Sequence, residues 1–182
     1  RGASPIQSVL LNGEETTGVT LYYMDDKMDH GPILAQQTSG NNELESMNYE
    51  QAEKRLAELS ANLLAKTLPK FLKKELTPLP QDETRATYTK KFKTDDGFVE
   101  YEKLKEAIEV GGKAAQEIDR KIRALSSEPG VYTIINNKRV KLLESKLIPS
   151  RSDVSRFILR VLRLVPEGKK PMTWEQLKSA NK

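Results

Sequence analysis

The proline-rich stretch at residues 77–82, Thr-Pro-Leu-Pro-Gln-Asp, constrains the fold of this 182-residue chain more than any other feature. Each proline lacks the backbone N–H that a helix interior or a central strand requires. The stretch therefore ends any preceding helix and does not join a sheet easily. We expect a linker over residues 77–95, which separates a first domain (1–76) from a second domain (96–182).

The first domain has the pattern of an α/β fold. Pro5 predicts a short helix that ends at Asn12, and bulky groups on both faces of residues 17–24 predict a strand covered on both sides. A second short strand is predicted over residues 33–37. Apolar residues at spacings of three and four then predict an amphipathic helix with a bend at Pro69; its stripe comprises Tyr49, Ala52, Leu56, Leu59 and Leu63.

The second domain is predicted to be richer in strands. A helix is expected over 114–125, followed by a β-hairpin with strands 131–135 and 139–143 around the turn Asn136-Asn137. Residues 157–164 fit either a third strand or a short helix. Thr173 and Gln176 form a capping-box pattern that predicts a final helix.

The net charge of +4 is distributed unevenly along the chain. Residues 1–40 carry −3, 41–82 carry −1, 83–137 carry 0 and 138–182 carry +8. A positive charge concentrated at one end is typical of a protein with a polyanionic partner such as RNA, although a solvated lysine-rich surface is an equal alternative.

The cysteine count and the hydropathy pattern exclude several classes of protein. With no cysteine there is no disulfide framework and no thiolate metal site, which is compatible with a reducing compartment. No run approaches the roughly 20 apolar residues of a membrane span. We therefore expect a protein without membrane association, and a cytoplasmic location is consistent with the absence of cysteine. We also expect a monomer.

The densest group of polar residues lies in the loop 25–32, Asp-Asp-Lys-Met-Asp-His-Gly-Pro, which follows the first predicted strand. Ends of strands are common positions for active sites in α/β folds. Three interpretations are open: a metal site, a structural turn, or a catalytic loop with one carboxylate as proton relay. His30 has no serine or cysteine nucleophile placed to pair with it, and we assign it no catalytic role.

Several segments in order along the chain match the motifs of one known family, and they are Arg1-Gly2-Ala3-Ser4-Pro5-Ile6-Gln7, Thr17–Thr20, Met28–Leu34, Pro80–Glu83, Ala86–Lys91, Ile118–Leu125 and Pro166–Met172. They resemble the folate-dependent formyltransferases, and the later segments resemble the members that act on methionyl-tRNA. The resemblance implies the C-terminal part of a Rossmann-like formyltransferase domain, followed by a truncated OB-like β-barrel. The barrel looks shortened, because the chain between Lys146 and Phe157 is too short for the family's two further strands.

The resemblance also implies the reaction, in which a formyl group passes from 10-formyltetrahydrofolate to the amino group of methionyl-initiator-tRNA. Asp29 matches the family's catalytic aspartate, which orients a histidine and a water for proton transfer, and Arg1, Gly2 and Gly31 match substrate-binding positions. No metal is required. Basic residues are the candidates for tRNA contacts, and they are Lys90, Lys91, Lys93, Arg123, Lys169 and Lys170.

The family's oxyanion-stabilising asparagine and histidine lie upstream of its Arg-Gly motif, which here is residues 1–2. We therefore expect the chain to be an incomplete enzyme that is inactive alone. Two alternatives are a non-catalytic basic RNA-binding module and a formyltransferase acting on an amino-sugar nucleotide.

Overall fold

The computed structural model describes residues 1–151 and 153–180, which divide into two compact units. The first unit comprises Arg1–Val9 and Gly13–Lys91. The second comprises Leu10–Asn12 and the chain from Phe92 onward. Residues 77–91, most of the predicted linker, therefore belong to the first unit.

The first unit is built on a two-stranded antiparallel sheet. Helix α1 covers Pro5–Asn12, strand β1 covers Gly18–Tyr22 and strand β2 covers Ile33–Thr38, in agreement with the predicted elements. Helix α2 packs against both strands. No residue of β1 is buried, so the prediction of a strand covered on both faces is wrong. Bulky side chains occur on both faces of β1. Among the described residues, however, β1 pairs only with β2 and packs chiefly against α2.

Helix α2 spans Tyr49–Leu72, and it begins with a capping box. The Asn48 side chain accepts from the Gln51 amide over 2.9 Å, and the Gln51 side chain accepts from the Asn48 amide over 3.0 Å. The helix continues through Pro69. The predicted stripe faces the core at four positions, Ala52, Leu56, Leu59 and Leu63, and Thr67 extends it.

Residues 79–89 return to the first unit and add short pairings to it. Leu79 and Ile33 exchange two backbone hydrogen bonds of 2.7 and 2.9 Å at the edge of β2. A 3₁₀ turn follows over Glu83–Arg85, and Thr89 then forms a parallel bridge with Gly2. This return brings the segment after the prolines to the loop between β1 and β2.

The second unit packs helices against a three-stranded antiparallel sheet. It contains a 3₁₀ turn (Thr94–Gly97), helices α3 (Tyr101–Glu109) and α4 (Lys113–Leu125), strands β3 (Val131–Ile135), β4 (Lys138–Pro149) and β5 (Phe157–Pro166), and helix α5 (Trp174–Ala180). The order is β3-β4-β5. In the described part of the chain this sheet is open: β3 and β5 each pair with β4, apart from single bridges to Phe98 and Met172.

Most elements of the second unit follow from local sequence signals. Asn136 and Asn137 adopt φ values of 49° and 63°, which is the geometry of a two-residue hairpin turn. Thr173 and Gln176 cap α5 reciprocally over 2.8 and 3.3 Å. Residues 157–166 form a strand rather than a helix, which settles that alternative. The core consists mainly of aliphatic side chains, among them Leu104, Ile118, Ile122, Leu125, Val131, Val140, Leu142, Leu159, Val161 and Leu164.

Among the described residues, no helix combines the length and the apolar character that crossing a membrane requires.

Candidate active site

The loop between β1 and β2 adopts a tight conformation that depends on its sequence. The Tyr23 amide donates to the Pro32 carbonyl over 2.9 Å, which closes the loop at its base. Asp29 has a φ of 54°, in the left-handed region that aspartate tolerates better than most residues. A methyl group on Gly31 would overlap the carbonyl oxygen of Tyr23. Glycine at position 31 is therefore required by the close approach of two backbone segments.

The Asp29 carboxylate is held by two donors from different parts of the first unit. Oδ2 accepts from the Gly2 amide over 3.1 Å, and Oδ1 accepts from the Tyr22 hydroxyl over 3.0 Å. These two hydrogen bonds keep the pKa of Asp29 below its ordinary value, although partial burial opposes them. The hydrogen bond between Tyr22 and Asp29 also raises the pKa of the Tyr22 hydroxyl. Asp29 is thus an ionised, half-buried carboxylate in a fixed orientation.

Arg1 and Glu83 form a bidentate ion pair beside this loop. Nη1 and Nη2 of Arg1 donate to the two Glu83 carboxylate oxygens over 2.8 and 2.7 Å. This geometry raises the pKa of Arg1 and lowers that of Glu83. The Arg1 side chain is only 10% exposed, whereas Glu83 is about half exposed.

His30 lies between two carboxylates. Its Nδ1 is 2.6 Å from Asp25, and its Nε2 is 3.6 Å from Glu83. The contact with His30 is the main cause of the lowered pKa of Asp25. The ring is therefore hydrogen-bonded to Asp25 through Nδ1, while Glu83 lies near its Nε2 beyond hydrogen-bond distance.

Gln81 connects the loop to the Arg1–Glu83 pair. Its Nε2 donates to the carbonyls of Asp29 and Gly31 over 3.0 and 2.7 Å. Its Oε1 accepts from Arg1 over 3.0 Å. The loop, Arg1 and the segment 81–83 thus form one hydrogen-bonded group. We name this group the Asp29 network, and it consists of Arg1, Gly2, Tyr22, Asp25, Asp29, His30, Gly31, Gln81 and Glu83.

An apolar cavity of about 490 Å³ lies in the first unit beside β1 and α2. Tyr22 lines this cavity, and its hydroxyl belongs to the Asp29 network. The cavity is lined by Leu21, Tyr22, Tyr23, Met24, Leu34, Leu64, Thr67, Leu68 and Phe71. Several of these side chains are among the large exposed apolar residues of the chain.

The predicted tRNA-binding residues differ in their surroundings. Lys90 and Lys91 are exposed at the end of the first unit, and in the second unit Lys93, Lys169 and Lys170 are exposed. Arg123 is different, because its Nε donates to the buried Asp119 carboxylate over 2.8 Å and its side chain is 13% exposed.

The structure brings together the four residues predicted for catalysis and substrate binding, and it adds residues that sequence reasoning missed. Asp29, Arg1, Gly2 and Gly31 all lie in the Asp29 network. Tyr22, Gln81 and Glu83 were not predicted as site residues. The sequence signal for the last two was present, since both belong to the Pro-Gln-Asp-Glu segment that carries part of the resemblance. In the described part of the chain, no three acidic or histidine side chains converge as metal ligands would.

Family models match most of the chain. The model described as formyl transferase matches residues 1–68, and the model described as formyl transferase, C-terminal domain, matches residues 93–157.

Curated relatives agree with these matches. The chain is 35% identical over 195 residues to methionyl-tRNA formyltransferase of Thermotoga neapolitana, covering 98% of this chain and 58% of the relative. It is 40% identical over 153 residues to the enzyme of the same name from Thermotoga maritima, covering 84% of this chain and 45% of the relative. The chain therefore spans about half the length of the curated relatives it matches.

Solved structures show the same fold. HypX from Aquifex aeolicus in complex with tetrahydrofolic acid matches with a TM-score of 0.68 at 17% identity, covering 97% of this chain and 32% of HypX. Methionyl-tRNA formyltransferase from Clostridium thermocellum matches with a TM-score of 0.57 at 16% identity, covering 95% of this chain and 63% of that enzyme. The α/β fold described above is thus a formyltransferase fold. On the two family matches and the curated relatives, the chain belongs to the formyl transferase family.

Proposed function

We propose that this chain is part of an enzyme that transfers a formyl group from 10-formyltetrahydrofolate to the amino group of methionyl-initiator-tRNA. The observation that carries the proposal is the Asp29 carboxylate, which the Gly2 amide and the Tyr22 hydroxyl hold in one orientation. The names of the curated relatives supply the acceptor, and the folate complex of HypX supports the donor class.

The reaction requires a proton to leave the attacking nitrogen. The amine nitrogen of methionine forms a bond to the formyl carbon, the bond from that carbon to the folate nitrogen breaks, and a proton passes to the folate nitrogen. A carboxylate with a lowered pKa stays ionised near neutral pH, so Asp29 can accept a hydrogen bond from a water or a protonated partner throughout. Because its two donors already hold the carboxylate in one orientation, it does not have to reorient during the reaction.

The remaining site assignments belong to the same proposal. Arg1, Gly2 and Gly31 shape the substrate-binding side of the loop, and a tRNA partner contacts exposed lysines through its phosphates. We assign the catalytic role to residues 1–76 together with the returning segment 77–91, which belongs to the same unit, and the recognition role to residues 96–182. The open sheet β3-β4-β5 corresponds to part of an OB-like domain. We further propose that the protein works as a cytoplasmic monomer without a metal.

The test is formyl transfer by the chain joined to the upstream portion of the Thermotoga neapolitana relative, with the 182-residue chain alone in parallel. With 10-formyltetrahydrofolate and methionyl-initiator-tRNA, the joined protein is expected to form formylmethionyl-tRNA and the chain alone is not. Replacing Asp29→Asn should lower kcat by about 100-fold or more. The matched control is Asp26→Asn, because Asp26 is an exposed carboxylate in the same loop.

Two results would contradict the proposal. One is near-normal kcat for Asp29→Asn, which removes the role of the carboxylate. The other is transfer to an amino-sugar nucleotide in place of methionyl-tRNA, which replaces the acceptor class.

A further inference from the structure

The Gln81 side chain makes three hydrogen bonds, all of them to the Asp29 network. Its Nε2 donates to the carbonyls of Asp29 and Gly31, which flank His30, over 3.0 and 2.7 Å. Its Oε1 accepts from Nη2 of Arg1 over 3.0 Å. These bonds join residues that are 50 to 80 positions apart in the sequence. The loop is therefore held by a segment that is distant from it in the chain.

The partners determine which way the Gln81 amide faces. An arginine only donates and a backbone carbonyl only accepts, so the oxygen must face Arg1 and the nitrogen must face the loop. Arg1 is itself held by both oxygens of Glu83. The amide is therefore anchored on one side and presents both of its N–H groups to the loop on the other.

The two carbonyls that Gln81 binds belong to the strained part of the loop. Asp29 has a φ of 54°, a conformation that costs free energy for a residue with a side chain. A donor pair that spans residues 29 and 31 favours this conformation over its alternatives. The same backbone conformation aims the Asp29 carboxylate at its own donors, the Gly2 amide and the Tyr22 hydroxyl.

We propose that Gln81 is a positioning residue for Asp29: by tying the carbonyls of Asp29 and Gly31 to the Arg1–Glu83 pair, it holds the catalytic carboxylate on its two donors. The description of Asp29 as catalytic rests on the proposed function. The positioning itself is a property of the folded chain and is measured without turnover.

The experiment compares the 182-residue chain with the variants Gln81→Met and Gln81→Ala. Methionine keeps the length of the side chain and removes all three hydrogen bonds. The control is Gln36→Met, because Gln36 also makes a side-chain hydrogen bond, over 2.9 Å to Thr20, but outside the network. The readouts are the pKa of the Asp29 carboxyl, from carbon NMR titration, and backbone amide relaxation of residues 28–31.

For both Gln81 variants we expect the pKa of Asp29 to rise toward that of an ordinary aspartate, because its donors are no longer aligned. Order parameters of the loop should fall to those of a flexible segment, below about 0.6. Gln36→Met should leave both readouts unchanged. A wild-type Asp29 pKa in a folded Gln81→Met variant overturns the inference, since a merely structural glutamine would change stability alone. If the joined wild-type protein transfers no formyl group while both Gln81 variants still raise the pKa of Asp29, the proposed function fails and the positioning role of Gln81 stands.

Discussion

The hydroxyl of Tyr22 donates to Oδ1 of Asp29 over 3.0 Å, so the last residue of β1 holds a carboxylate seven positions further along the chain. Replacing Tyr22 by Phe removes this donor and keeps the aromatic ring. We expect the pKa of Asp29 to rise, because a hydrogen bond to the ionised form is lost. Carbon NMR titration of Asp29 measures the change. Tyr23→Phe is the control, since Tyr23 is 56% exposed and its ring lies against Phe71; equal effects of the two variants would contradict the role of Tyr22.

The stability of the first unit should fall in acid. The pKa values of Asp25, Asp29 and Glu83 are lower in the folded chain than in the unfolded chain, because each carboxylate accepts hydrogen bonds. Their contribution is complete above about pH 5, where the carboxyls of the unfolded chain are also ionised, and it is lost as the pH falls through the folded values. Urea midpoints measured between pH 2.5 and pH 6 (roughly the range over which carboxyls titrate) should therefore decline at the acidic end.

The Asp29→Asn variant isolates one part of this dependence. Asparagine does not titrate, so the variant should lose less stability between neutral and acidic pH than the wild type does. Parallel curves for the two proteins would show that Asp29 contributes nothing to the acid sensitivity.

Local signals in the sequence predicted most of the fold. The capping box at Asn48, the stripe from Ala52 to Leu63 and the turn Asn136-Asn137 each specify an element within a few residues, and each element is present. Helix α3 was missed, because its buried side chains Leu104 and Ala107 form too short an apolar pattern. The burial of β1 was predicted wrongly, since burial depends on how many strands and helices surround it.

The candidate site was predicted only where its residues lie in motifs that carry the family resemblance. Asp29 and Gly31 lie in one such motif and Arg1 and Gly2 in another, and the roles assigned to them came from these motifs. Gln81 contacts Gly31 across 50 positions, and no periodicity relates the two. Charge alone was also insufficient. Arg123 was predicted to contact tRNA because it is basic, but in the fold its Nε lies 2.8 Å from the buried Asp119 carboxylate.

Gly31 should tolerate no side chain. A Cβ there overlaps the Tyr23 carbonyl oxygen, which is backbone and cannot turn aside. We expect Gly31→Ala to lower the free energy of unfolding by about 1–3 kcal/mol and to shift the Asp29 resonances. Gly40→Ala is the matched control, because a Cβ at Gly40 meets only the Glu43 side chain at an ordinary 3.7 Å. Equal stability of the two variants in urea unfolding would contradict this account.

Arg123 is expected to stabilise the second unit. Oδ2 of Asp119 accepts from Arg123 over 2.8 Å and Oδ1 accepts from Ser145 over 2.8 Å, and the Asp119 side chain is 7% exposed. Removing one partner of a buried ion pair costs about 3–5 kcal/mol, so Arg123→Ala should lower the urea midpoint clearly. Arg160→Ala, on an exposed side chain, should not. Weaker tRNA binding by Arg123→Ala with unchanged stability would favour a direct contact to tRNA instead.

Lys169 and Lys170 are exposed between β5 and α5, where their charges are accessible to phosphates. If both contact tRNA, replacing both by alanine should weaken binding and reduce the slope of log affinity against log salt by about 1.5, since each contact releases counterions. Lys103 and Lys105 provide a control of equal charge, because replacing both also removes two positive charges, but each is paired with a glutamate over 2.7 and 2.9 Å. Filter binding of initiator tRNA between about 50 and 200 mM salt measures both slopes. Equal slopes for the two double variants would show that only the net charge of the chain matters and that Lys169 and Lys170 form no specific contact.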